Sequence, residues 1–305
     1  MASSVSALQS IELSKRFRSN LALDSVTIRI DQGKTVGLLG INGAGKSTLL
    51  KLAVGNLRPS GGELKILGLD PQTMSHEIRA RVGFVPEASQ FYKWMTVGQI
   101  LNFVRPMYSA WDEPFVGRLS NRFNLDLKRR VSHLSSGMLA KLSLLVALGH
   151  QPELLILDEP LTGMDPLARQ DFTECVAESV FRDSQTVLFS SHQLDEVSEL
   201  ADEVIIIHEG RVLVHRAVAD LVNTTRRIRV IGENLGSIPI QADHVVCRRK
   251  VQSDWIITVS DFDPAIVASM AEDGRHRVSD VSTVSLSELF KDYVRGVSPS
   301  EGSGK

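Results

Sequence analysis

The sequence predicts an α/β fold on a parallel sheet, followed by a small α+β domain, and three features predict it. Short, largely apolar runs such as Thr35–Leu39, Leu154–Leu157 and Thr186–Ser190 have the texture of strands buried on both faces. Stretches with apolar residues at three- and four-residue spacing separate them, as helices do. A glycine-rich loop joins the first of these strands directly to a helical pattern that begins Leu49-Leu50-Lys51-Leu52-Ala53.

That loop is Gly40-Ile41-Asn42-Gly43-Ala44-Gly45-Lys46-Ser47-Thr48. It fits the phosphate-binding pattern G-x-x-x-x-G-K-[ST] at every specified position and in the strand–loop–helix context that the pattern requires. Its glycines let the backbone wrap an anion with N–H groups pointing inward. The helix that follows presents a partially positive N-terminus. Lys46 is placed to reach the β and γ phosphates, and the Ser47 hydroxyl to ligate Mg2+. The loop points to a nucleoside triphosphate without saying which machine uses it.

Along the chain, residues 1–6 read as a leader and Leu8–Ile30 as alternating strand segments, closed by a turn at 31–33. A turn at 57–62 precedes the strand 63–67, and Val82–Val85 is a strand stopped by Pro86. From Thr96 to about Gly149 the spacing is helical. A helix from Pro166 to Phe181, the strand 186–190, a helix from Leu194 to Ala201 and a hairpin over 204–214 follow. Near residue 217 the pattern restarts, with strands at 227–231, 244–247 and 255–259 and a helix over 264–271. Ser285-Leu286-Ser287-Glu288 is a capping box opening a last helix, and 298–305 is a Ser/Gly/Pro-rich tail expected to be unstructured.

Composition narrows the class. Hydrophobic residues make up 43% and charged residues 23%, ordinary values for a soluble globular protein. A formal net charge of −2 argues against a protein that lives on nucleic acid. Cys175 and Cys247 have no paired spacing and read as reduced core thiols of a cytosolic protein. No signal peptide is expected, and no apolar run approaches the roughly 18–20 residues that cross a bilayer. Any membrane-spanning part must come from another chain.

The second half of the site is carried by the apolar strand 154–157, which ends in Asp158-Glu159. Asp158 fits the Walker B carboxylate beside the Mg2+ on Ser47. Glu159 is expected to turn by strand alternation toward an attacking water. Leu134-Ser135-Ser136-Gly137-Met138 stands ahead of that strand, at the head of an apolar helix.

With these motifs in this order, the chain resembles the ATP-binding subunit of an ABC transporter over about residues 8–216, and within that family the ABC-2-like exporter branch. The segment 134–138 is similar to the family signature Leu-Ser-Gly-Gly-Gln. Phe17 matches the aromatic that stacks on adenine, Gly163-Met164-Asp165 the D-loop, and His192 the switch histidine. Two departures stand out. Glu87 sits where the family usually has the Q-loop glutamine, and is similar to a glutamate of the exporter branch able to ligate Mg2+ or orient water. Ser136 and Met138 replace glycine and glutamine, while Ser135 and Gly137 keep the usual phosphate contacts.

The resemblance implies a P-loop NTPase fold: a RecA-like core with an antiparallel β subdomain and a helical insert at about 92–150, within an ATPase domain 1–216, plus an α+β accessory domain 217–297. It implies ATP and Mg2+ as ligands, Glu159 as the residue polarising water, His192 holding it, and Lys46 on the phosphates. It implies a homodimer or heterodimer of ATPase subunits sandwiching ATP, a separate integral membrane permease, and a place on the cytoplasmic face of the plasma membrane. Phe91, Tyr92 and Trp94 suit a docking patch for that permease, or else core of the insert. The basic runs 226–229 and 248–250 read as charges on an open sheet face rather than a nucleic-acid patch. A non-transport ABC ATPase of nucleic-acid maintenance or translation is the alternative; the absence of a coiled-coil insert between Lys46 and Asp158, and of a second cassette, speaks against it.

Overall fold

The computed structural model describes residues 5–88, 90–183, 185–192, 194–231, 244–272 and 277–297. They form two compact units, up to His215 and from Arg216. The leader expected over 1–6 is overturned at its end: Ser6 already pairs with Asp31. The expected tail at 298–305 lies outside the described residues.

The first unit holds two sheets. β1 (Ser6–Phe17), β2 (Asn20–Asp31) and β4 (Gly61–Ile66) make an antiparallel sheet in the order β2-β1-β4. The other sheet has six strands: β3 (Thr35–Leu39), β5 (Val82–Val85), β6 (Leu154–Leu157), β7 (Thr186–Ser191), β8 (Glu203–His208) and β9 (Arg211–Ala217). Their order is β5-β6-β7-β3-β8-β9, and the pairs from β5 through β8 are parallel. Every residue of β3, β6 and β7 is buried, which explains their continuous apolar texture. α1 (Lys46–Ala53) buries Leu49, Leu50, Leu52 and Ala53 in a core shared by both sheets. α6 (Pro166–Asp183) and α7 (Leu194–Leu200) precede β7 and β8.

The short helix α2 (Ser75–Arg81) was not expected from the sequence; it buries Ile78 and is otherwise mostly polar, so it shows little periodicity. The insert contains α3 (Val97–Val104), α4 (Glu113–Arg122) and α5 (Ser136–Leu148). Thr96 and Gln99 form a capping box at the head of α3, and Asp112 caps α4.

In the second unit, β10 (Arg226–Ile231), β11 (Val245–Val251), β12 (Asp254–Val259) and β13 (Arg277–Thr283) form an antiparallel sheet in the order β11-β12-β10-β13. α8 (Val218–Thr224) and β13 escape a sequence reading, because one is short and the other is a polar, mostly exposed edge strand. One sheet face gathers Ile228, Val230, Ile257 and Val259 with Met270 of α9 (Ala265–Glu272). On the opposite face Arg227 donates to Glu288 and Asp292 of α10 (Leu286–Val297), and Thr258 Oγ1 donates to Asp292 at 2.6 Å. Asp292 is buried, so a cation and a hydroxyl replace its lost water. The expected capping box is present: the Ser285 N–H donates to Glu288 at 3.2 Å, and the Glu288 N–H to Ser285 Oγ at 3.3 Å. The basic run 226–229 is committed internally, Arg226 to the Thr225 carbonyl and Arg229 to Asp254.

A half-buried aromatic stack forms on the buried His150. His150 lies parallel to Tyr108 at 4.0 Å, and Tyr108 stacks on Trp111 at 6.3 Å. A Cβ at Gly149 would meet the Trp111 ring at 2.5 Å, so the glycine makes room for the indole. Burial pushes the His150 pKa down to about 4. Between about pH 6.5 and 4 the unfolded chain therefore binds a proton that the folded chain refuses, and stability falls with pH across that window. Chemical denaturation is expected to show about 2 kcal/mol more loss from pH 7 to 5 in the parent than in His150→Phe.

Candidate functional site

The site lies at the carboxyl ends of the parallel strands, where ligands bind in open α/β sheets. Gly43 has φ 83 and Gly45 φ 110, conformations that favour glycine. At Gly45 space demands it too: a Cβ would lie 2.6 Å from the Ala22 carbonyl of β2. The antiparallel sheet thus braces the loop. Among the described residues no side chain caps α1, so the first N–H groups, at Lys46, Ser47 and Thr48, remain for a ligand. Asn42 is exposed on the rim of the loop.

Lys46 is buried, with Nζ donating to the Gly40 carbonyl at 2.6 Å. The same Nζ is 3.1 Å from Glu159 Oε1. This is a charge contact rather than an aligned hydrogen bond, for Oε1 has no hydrogen-bond partner. The other oxygen, Glu159 Oε2, is 2.6 Å from His192 Nδ1. A carboxylate only accepts, so Nδ1 donates. Glu159 thus stands between the loop lysine and the histidine after β7. Its direction is not set by strand alternation, as the sequence suggested. β6 ends at Leu157, and Glu159 sits at φ 47, in the left-handed region.

Asp158 Oδ1 accepts from Ser47 Oγ at 3.0 Å and from Ser190 Oγ at 2.9 Å. Asp158 is buried, and among the described residues its donors are hydroxyls and no basic side chain pairs with it. A buried carboxylate and an adjacent hydroxyl, all oxygen and short of positive charge, fit Mg2+. Ser190 was missed by the sequence reading. Its hydroxyl also accepts the Glu159 N–H at 2.8 Å, so it links the Asp158 carboxylate to the Glu159 backbone. The signal is the strand order, with β7 between β3 and β6, which a motif search does not contain.

The other expected residues stand apart from this cluster. Ser135 caps α5, accepting the Met138 N–H at 3.3 Å. Gly137 is buried beside α6, where a Cβ would meet Ala168 Cβ at 3.1 Å. Asp165 caps α6 by accepting from Ala168 at 2.9 Å and Leu167 at 3.1 Å, and these N–H donors, that of Ala168 first, hold its carboxyl below the usual range. Phe17, at the end of β1, is exposed with Lys15 Nζ 4.9 Å from its ring centroid. Glu87, two residues past β5, is exposed, and among the described residues no hydrogen bond or ion pair joins it to Ser47 or Asp158. Cys175 and Cys247 are free and buried, and burial raises the Cys175 pKa to about 12. No described helix is long and apolar enough to cross a membrane.

Comparison with known proteins places this geometry. The family pattern described as ABC transporter matches residues 23–162. The ABC transporter ATP-binding protein NatA of Bacillus subtilis is 34% identical over 225 residues, covering 70% of this chain and 91% of NatA. An uncharacterized ABC transporter ATP-binding protein of Synechocystis is 32% identical, and the match spans 72% of this chain but 65% of that longer relative. The bacitracin transport ATP-binding protein BcrA of Enterococcus faecalis is 26% identical over 299 residues, 95% of this chain and 96% of BcrA, so that match runs through both units. A solved ATP-binding subunit of an ABC transporter is 30% identical with a TM-score of 0.65, covering 70% of this chain and 91% of its own. A dimeric ATP-binding cassette solved in a post-hydrolysis state with ADP and Pi shares the fold at 19% identity and a TM-score of 0.63, covering 69% of this chain and 98% of its own. This chain belongs to the ABC transporter family, as one of its ATP-binding, ATP-hydrolysing subunits.

Proposed function

We propose that two copies of the cassette, or one copy and a close relative, enclose ATP between the Lys46 loop of one and Ser135 of the other. Hydrolysis then drives a separate integral membrane permease, with the subunit on the cytoplasmic face of the membrane. Export is the direction favoured, since BcrA is named for bacitracin transport and another relative, YbhF of Escherichia coli, as a probable multidrug ATP-binding protein. The observation that carries the catalytic reading is Glu159 itself. One of its oxygens is held by His192, while the other has no hydrogen bond and faces the lysine charge.

The arrangement gives the residues a sequence of tasks. Lys46 balances the charge of Glu159 at 3.1 Å. An arriving phosphate is a stronger acceptor than the Gly40 carbonyl, and it draws the ammonium away from the carboxylate. Glu159 Oε1 is then open to accept from a water, while His192 keeps the side chain aimed. Ser47 and Asp158 are the residues that hold Mg2+, which supplies neutralisation of phosphate charge when bound. Glu87 would be a further ligand to Mg2+ or water. Ser135 and the Gly137 N–H, at the head of α5, complete the partner's site. Phe17 stacks on adenine, and Asp165 lies at the seam between subunits.

Ser190 is a positioning residue here, because its hydroxyl fixes the Asp158 carboxylate and the strained backbone of Glu159 together. Tyr92, Trp94 and Phe103 form the docking surface for the permease. They are 57%, 69% and 49% exposed, which separates them from core, and their rings meet at 5.8 and 6.3 Å.

Three measurements test these roles. Glu159→Gln is expected to bind ATP, to lose turnover at least about 100-fold, and to accumulate as an ATP-bound dimer on size exclusion; turnover at the parent's rate would remove Glu159 from its role. Ser190→Ala is expected to lower kcat about 10-fold with little change in KM, and Ser190→Thr to recover most of it. Replacing Tyr92 and Trp94 together with alanine should weaken association with the permease about 30-fold while ATP binding by the soluble subunit persists.

A further inference from the structure

The signature segment carries Ser136 where the family usually has glycine, and its hydroxyl reaches into the neighbouring loop. Ser136 Oγ donates to the Gly163 carbonyl at 2.7 Å. Gly163 belongs to the segment that runs from Glu159 to the head of α6. That segment is wound tightly: the Thr162 N–H donates to the Glu159 carbonyl at 3.2 Å, and the Met164 N–H to the Leu161 carbonyl at 3.2 Å. Leu161 and Met164 are buried, and Asp165 anchors the far end as the cap of α6. Gly163 itself has φ 75, so a turn suited to glycine presents its carbonyl to the serine. A short series of bonds therefore leads from the signature to the backbone of Glu159.

The same seam is held farther along both helices. Gly137 lets α5 approach Ala168, and the buried Lys141 ammonium pairs with Asp171 at 2.7 Å. These contacts pack α5 and α6 against each other. The Ser136 hydrogen bond extends that packing to the loop that ends at Glu159. A glycine at 136 has no hydroxyl to do so.

We infer that Ser136 is a positioning residue that couples the two ATP sites of a dimer. It joins the signature, which meets the nucleotide held by the partner, to the loop that carries Glu159 against the subunit's own nucleotide. The inference rests on the two-copy reading above. When α5 moves onto the partner's ATP, the Gly163 carbonyl follows the serine hydroxyl, and the turn transmits the shift to Glu159. Each site then becomes competent when the other closes.

The test uses the full chain with Ser136 replaced by Ala, Gly or Thr, and steady-state hydrolysis measured against ATP concentration. Ser136→Ala and Ser136→Gly are expected to lower kcat about 3- to 10-fold and to bring the Hill coefficient close to about 1, with KM and melting temperature little changed. Ser136→Thr, which keeps the hydroxyl, should retain the parent's kcat and cooperativity. The same substitutions placed on Glu159→Gln report dimer formation separately. If Ser136→Ala hydrolyses ATP with the parent's kcat and Hill coefficient, or if the parent is itself non-cooperative, the coupling role is overturned while an ATP-trapped Glu159→Gln dimer still stands. If Glu159→Gln never dimerises with ATP, the two-copy reading fails and this role fails with it.

Discussion

A buried ammonium, that of Lys46, sets the terms for the site around it. Taking this charge out of water is costly unless it is paired. The chain provides the Gly40 carbonyl at 2.6 Å and the Glu159 carboxylate at 3.1 Å. Both partners come from the carboxyl ends of strands, β3 and β6, so the sheet itself fixes the distance between them. β2 packs closely on the loop at Gly45, where a Cβ would lie 2.6 Å from the Ala22 carbonyl. The result is a site whose buried ammonium is balanced within the chain.

What could be read from the sequence follows from how local each requirement is. The phosphate loop needs its glycines, lysine and serine in one uninterrupted run, so the chemistry writes itself into consecutive residues. Asp158 and Glu159 were legible because they end a run that is apolar on both faces. Ser190 was not, since its role exists only once β7 lies between β3 and β6, and strand order is a property of the folded sheet. The aim of Glu159 was misread for a related reason. Alternation holds while the chain stays extended, but β6 stops one residue before Asp158, and the backbone at Glu159 turns left-handed. Short, polar elements such as α2 and β13 were missed because few of their residues are buried, and burial is what imprints a period.

Exposure decided questions that pattern left open. Aromatic residues close together in sequence are compatible with core or with a surface, and only their accessibility separates the two. Trp94 at 69% is far outside what packing inside the insert requires, whereas Trp111 and Tyr108 are bound into a stack with His150. The second unit shows the converse. Its arginines read as solvent-facing charge, yet Arg227 reaches two carboxylates of α10, one of them buried. Glu288 and Asp292 are four apart and share a helix face, so one guanidinium fork engages both.

The two helix heads of the cassette differ in a way that bears on the proposed pairing. Among the described residues α1 has no side-chain cap, and its first N–H groups sit beside Lys46, Ser47 and the carboxylates of Asp158 and Glu159. α5 is capped by its own Ser135, whose oxygen accepts from Met138 but whose O–H is still able to donate. Among the described residues, Ser135 and Gly137 share no hydrogen bond with the Lys46 cluster; their neighbours are Met138, Ala168 and, through Ser136, Gly163. One helix head therefore has donors and a complete set of acid–base partners, while the other has donors alone. In the proposed pairing a second copy sets its α5 donors facing the α1 site of the first and receives the same in return, so one symmetric interface completes both ends.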